Sequence, residues 1–92
     1  MKILYDSREQ KPLGFIGHEK VVTELEKTAL PVGDYGCEYK NGWQCPVIFE
    51  RKSLVDLFGT LGKGYDRFKR ELEKAKNLDI KLILIVEGSI QL

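Results

Sequence analysis

The chain has 92 residues, of which 42% are hydrophobic and 32% charged, and its formal net charge is +1. That length leaves room for one hydrophobic core, so residues 1–92 are expected to form a single domain, and the composition excludes a disordered tail or a membrane-embedded chain. With charge close to neutral, affinity for nucleic acid cannot come from overall basicity and has to come from local clusters.

The first predicted element is "KILYD", a short apolar run that ends in Asp6 and reads as a strand delivering that acid to a sheet edge or loop. "SREQKPLGFIGH" reads as loop, because Lys11-Pro12 and two glycines oppose regular structure. "KVVTELEK" fits two periods. Val21, Thr23 and Leu25 alternate as a strand requires, and Val21, Val22, Leu25 and Ala29 suit a helix face; the strand is preferred.

Residues 32–52 predict a β-hairpin around Asn41-Gly42, a strong turn dipeptide. "SLVDLFGTL" predicts a short helix with Ser53 as N-cap and Asp56 at the third helical position. After Gly62 and Gly64, "YDRFKRELEKAKNL" predicts the clearest helix, with an apolar stripe of Phe68, Leu72 and Ala75 and its end near Asn77. "IKLILIVEG" predicts a strand covered on both faces. The expected fold class is α/β, a central mixed β-sheet flanked by helices. The strand at the end of the sequence lacks a covering helix, so a partner chain or a further part of a longer protein is expected to supply one.

The longest apolar run, Leu82 to Val86, is too short to span a bilayer, and no signal-peptide core follows Met1. No membrane association and a cytoplasmic location are expected. Cys37 and Cys45 lack the spacing of a zinc site and read as reduced, small strand residues. Lys63, Arg67, Lys69, Arg70, Lys74 and Lys76 cluster, diluted by Asp66, Glu71 and Glu73. A DNA-binding patch and a solvated helix face with pairs such as Arg67–Glu71 both fit that pattern.

The chemistry concentrates at Gly33-Asp34 and Glu50-Arg51-Lys52. On a strand, Glu50 and Lys52 share one face and Arg51 takes the other. Asp34 lies on the partner strand of the hairpin, and its carboxylate meets that of Glu50 only if the register suits. A two-residue turn at Asn41-Gly42 would put them on opposite faces; a three-residue loop Asn41-Gly42-Trp43, or a single β-bulge, would set Asp34 across from Glu50. Two hard oxygen ligands suit Mg2+, with Mn2+ able to substitute. Lys52 on the same face could orient a water, transfer a proton or offset developing charge. Taken singly, Gly33-Asp34 is most often a turn, Glu50-Arg51-Lys52 a solvated strand end and Asp56 a helix cap.

In combination, Gly33-Asp34 followed by Glu50-Arg51-Lys52 and Asp56 resembles the GD...ERKxxxD signature of XPF-type nuclease domains, within the PD-(D/E)xK nuclease superfamily. The likeness extends to "DSRE" at residues 6–9, "LPVGDY" at 30–35 and "RFKREL" at 67–72. It implies a restriction-endonuclease-like core. It further implies Asp34, Glu50 and the main-chain carbonyl of Arg51 as metal ligands and Lys52 as the catalytic lysine, with Asp6, Glu9 and Asp56 as further active-site acids. Arg8, Arg51 and Arg67 are implied as DNA contacts.

The resemblance is to bacterial or phage members, and it implies that these residues are the N-terminal part of a longer family domain whose later elements often mediate dimerisation. A homodimer or a partner chain over the final strand is therefore expected. The expected function is a Mg2+-dependent DNA endonuclease acting in repair or recombination. A preference for branched or flapped DNA stays open, since the helix-hairpin-helix module that confers it in many members is not among these residues. The competing reading is a non-catalytic DNA-binding or assembly module of the same fold.

Overall fold

A computed structural model describes residues 1–88. Its elements, in chain order, are β1 (Lys2–Asp6), β2 (Glu24–Thr28), β3 (Tyr35–Glu38), β4 (Val47–Ser53), α1 (Leu54–Leu61), α2 (Tyr65–Asn77) and β5 (Lys81–Glu87). The strands form one sheet in the order β2-β1-β3-β4-β5. β2 is parallel to β1 and β5 to β4, while β3 runs antiparallel to both of its neighbours. This is the expected α/β class with a mixed sheet.

The strand reading of "KVVTELEK" holds for its second half only. His18 to Val22 form a turn closed by the Val21 and Val22 amides on the His18 carbonyl, and the strand starts at Glu24. As an edge strand, β2 is almost wholly exposed and is tied to β1 by Lys2, which reaches Glu24 and Glu26 at 3.8 and 3.6 Å. Ser53 caps α1 as expected, accepting a hydrogen bond from the Asp56 amide at 3.1 Å. Among the described residues no helix is long and apolar enough to cross a membrane.

One side of the sheet is packed. Val32, Ile48 and Ala75 are buried together, with Ile80 and Leu82 against them, so α2 is fastened to the sheet through its last two turns. Gly33 lies inside this cluster with φ +70°, and a Cβ there would meet Ile48 Cγ2 at 2.4 Å. Only glycine satisfies both the left-handed backbone and the missing space.

Two sequence expectations need correction. β5 is not covered on both faces: it is the second edge strand, opposite β2, and Ile85 and Val86 are exposed. A continuous apolar run signals burial somewhere along a strand and does not say on how many sides. On α2, Leu72 is exposed, and the inward face runs instead through Phe68, Glu71 and Ala75. The helix is rotated by about one position from the stripe that hydrophobicity alone selects, which brings a carboxylate against the sheet.

The hairpin register is produced in two steps. The turn is a three-residue loop, as required, but made of Lys40-Asn41-Gly42: the Tyr39 amide donates to the Trp43 carbonyl at 2.9 Å, and Gly42 has φ +83°. This places Glu38 opposite Gln44. Further along, Tyr35 pairs with Phe49. Between the Cys37–Cys45 and Tyr35–Phe49 pairs lies Gly36 on one strand and Pro46, Val47 and Ile48 on the other, an insertion of two residues on the β4 side. Pro46 has no N–H to offer β3, and its carbonyl turns to the Lys81 amide of β5 at 2.8 Å.

Candidate active site

The Tyr35–Phe49 pairing makes Asp34 and Glu50 the next opposed residues along the hairpin. The Asp34 amide donates to the Phe49 carbonyl at 2.8 Å, and the Asp34 carboxylate accepts the Arg51 amide at 2.7 Å, so the side chain closes the open end of the ladder. Phe49 directs its carbonyl toward β3. By strand alternation the carbonyl of Arg51 projects to that same side, beside Asp34.

Glu50 is 9% exposed and Lys52 stands on its face of β4, with Nζ 3.6 Å from Glu50 Oε1. Glu71, on the inward face of α2, accepts the Gly33 amide at 3.2 Å and is in hydrogen-bonding contact with Glu50. A carboxyl group so placed beside Glu50 disfavours the ionised form of Glu50. Burial first, then the contact with Glu71 and the charges of Asp34 and Glu71, push Glu50 up to about 8 against the opposing pull of Lys52. Asp34 is raised as well, chiefly by burial and by Glu9, Glu71 and Asp6 around it, although the Arg51 amide works in the other direction.

Asp34, Glu50 and Glu71 line an open cleft of about 650 Å³, and Lys52 lines the hollow that adjoins it. The walls of the cleft carry Asp34 and Glu50 from the hairpin, Asp6, Arg8 and Glu9 from the end of β1 and the following loop, and Arg67, Arg70, Glu71 and Lys74 from α2. Positions 67, 70, 71 and 74 form one helix face, so the half of the basic cluster that matters stands over the carboxylates. Arg70 and Lys74 had no individual role in the sequence reading, and Glu71 figured there only as an ion-pair partner of Arg67, a pair that is absent among the described residues. The signal that finds them is their helical spacing from Arg67.

The remaining expected site residues are distributed unevenly. Asp6 is 2% exposed and fully engaged: Oδ1 accepts the Leu30 amide at 3.0 Å, and Oδ2 accepts Arg8 Nε at 2.7 Å. Burial alone would raise its pKa, but the bonds from Leu30 and Arg8 outweigh that and hold it below the usual carboxylate range. Arg8 is mostly exposed at the cleft rim, its guanidinium anchored on Asp6. Asp56 is exposed on α1 and lines an adjoining hollow with Lys52, Arg67 and Glu71. The Arg51 side chain takes the opposite face of β4, where Glu87 and the Lys11 carbonyl, at 2.8 Å, bind its guanidinium. It is thus directed away from the carboxylates, and its contribution to the cleft is its backbone.

No curated protein and no solved structure matches the chain. The family model of the ERCC4 domain does, over residues 5–92, a span that includes the end of β1, every later element of the fold and every residue of the cleft. With a mixed sheet flanked by two helices and the GD and ERK segments meeting at one end of a hairpin, the chain belongs to the ERCC4 domain family, a nuclease family involved in DNA repair, in keeping with the XPF-type motifs of its sequence.

Proposed function

We propose that this domain is a divalent-metal-dependent DNA endonuclease, in which Asp34, Glu50 and the main-chain carbonyl of Arg51 hold Mg2+ or Mn2+ and Lys52 assists phosphodiester hydrolysis. The observation that carries the proposal is the insertion of two residues at Pro46–Ile48, which brings Asp34 against Glu50 with Lys52 at 3.6 Å from the latter. Nothing in the packing of a small α/β core calls for this arrangement, and it works against stability, since both acids are pushed upward.

The donor set fits a hard cation. Buried carboxylate oxygens with more negative charge than Lys52 can offset favour binding of Mg2+ or Mn2+. Among the described residues no three His, Cys, Asp or Glu side chains form a ready-made metal cage. Magnesium binds through one or two carboxylates, completing its shell with water and substrate phosphate oxygens. When bound, such an ion supplies Lewis-acid polarisation of a phosphoryl oxygen and an acidified water.

The chain's own groups do the rest. Lys52 is held by Glu50 at the floor of the site, where its ammonium can orient a nucleophilic water or offset charge gathering on a phosphoryl oxygen. Arg67, Arg70 and Lys74 line the helix wall and Arg8 the rim, a spacing suited to consecutive backbone phosphates. Glu9 and Asp56 flank the centre as further carboxylates.

The test is calorimetric titration of Mn2+ into the wild type and Glu50→Ala, followed by cleavage of linear, flapped and branched DNA with Mg2+ and with a chelator. Mn2+ binding confined to the wild type, together with cleavage lost on chelation, is the expected result. Cleavage that persists in purified Asp34→Ala/Glu50→Ala overturns the site. DNA binding that survives chelation without any cleavage makes the domain a binding module instead.

A further inference from the structure

Cys37 and Cys45 take no part in the proposed chemistry, yet the hairpin sets them face to face. The Cys45 amide donates to the Cys37 carbonyl at 3.0 Å, and the Glu38–Gln44 bridge is the next pair toward the turn. Directly opposed residues of an antiparallel pair have Cα atoms about 4.5–5.5 Å apart, within the roughly 4.4–6.8 Å span of disulfides. Both thiols are free and half-buried, and Cys45 is near enough to Cys37 to disfavour its ionisation. Both border the apolar surface near Ile3 and Val47, and neither lines the carboxylate cleft.

We propose that Cys37 and Cys45 form a dithiol site that a small-molecule disulfide, such as oxidised glutathione, converts to an intramolecular cross-strand bridge. One thiolate attacks the sulfur–sulfur bond of the oxidant, giving a mixed disulfide and releasing one reduced thiol. The second cysteine, as thiolate, then attacks the protein sulfur of that adduct and expels the other half of the oxidant. Two protein thiols are oxidised, one small disulfide is reduced, and both protons end on the released thiols. Burial raises Cys37, which lowers its thiolate fraction at neutral pH and slows whichever of the two attacks it makes. The bridge spans the segment between the three-residue turn and the Pro46–Ile48 insertion, and so clamps the outer register of the hairpin. It stands independently of the nuclease reading.

The experiment treats the folded wild type, Cys37→Ser and Cys45→Ser with oxidised glutathione, then measures intact mass, free thiols and non-reducing gel mobility. The expected wild-type product has lost two hydrogens, has no free thiol, stays a single chain and melts on the order of 10 °C higher than the reduced form. Each single variant should stop at a glutathione adduct. A wild type that stops at adducts, cross-links between chains or keeps both thiols free under conditions that modify the unfolded chain overturns the proposal.

Discussion

Two strands, β1 and β4, each bring a buried acid to the cleft, and they treat it in opposite ways. At the end of β1, Asp6 is saturated by the Leu30 amide and Arg8, which hold its charge in place. Midway along β4, Glu50 is also buried but faces Asp34 and Glu71, with Lys52 as its near cation, and it rises to about 8. Burial acts on both; the difference lies in the donors. A buried carboxylate with its hydrogen bonds satisfied is held in its charged form, and one packed among other carboxylates is pushed toward its neutral form, a perturbation that clusters at functional sites.

The sharpest way to break this contrast is to neutralise each acid without changing its shape. Glu50→Gln should lower cleavage by at least about 10²-fold, the scale expected on removing a group that acts in the transition state. The same change should stabilise the metal-free protein at pH 8 by on the order of 1–3 kcal/mol, because it removes a buried charge that the fold does not satisfy. Thermal melts beside cleavage assays test both halves, and a destabilised Glu50→Gln would undo the distinction.

Asp6→Asn should act the other way, costing about 2 kcal/mol of stability through weakened bonds to Leu30 and Arg8. Activity should survive at temperatures where the variant is folded. Loss of cleavage in folded Asp6→Asn would instead give Asp6 the direct catalytic role that the family motif implies.

The two acids should also separate by pH in the metal-free domain. Glu50 is raised in the folded state, so its contribution is fully present below its unfolded value near 4.5 and is lost as pH rises through about 8; Asp34 shares that sign. Asp6 is lowered, so its contribution is present above its unfolded value near 3.8 and is lost as pH falls through the folded one. Denaturant melts from pH 3 to 9 should show stability falling on both sides, with Glu50→Gln flattening the alkaline side and Asp6→Asn the acid side. The smallest expected effect is that of Arg67→Ala, which should weaken DNA binding several-fold and reduce the salt slope of log K by about 1. Binding isotherms at several salt concentrations measure it.

The parts of the site legible in the sequence were those set by local spacing. Glu50 and Lys52 share a face because a strand alternates, and Ser53 caps α1 because its hydroxyl lies within reach of the Asp56 amide. Glu71 was not legible: Leu72 beside it is the better apolar residue, and only packing on Ala75 rotates α2 so that the carboxylate points in. Arg51 stands within the motif, yet its side chain belongs to Glu87, thirty-six positions along the chain.

By itself the sequence determined the α/β class, most of the element order, the face shared by Glu50 and Lys52 and the condition that Asp34 meets Glu50 only through a register shift in the hairpin, since each depends on residues close in the chain or on a periodic pattern. The tertiary structure alone decided that the shift comes from two inserted residues at Pro46–Ile48, that Asp6 is satisfied while Glu50 is not, and that β5 is an edge. Those outcomes depend on which distant backbone donors, Leu30 for Asp6 and Gly33 for Glu71, arrive at each carboxylate, and a donor's arrival is a property of packing rather than of spacing.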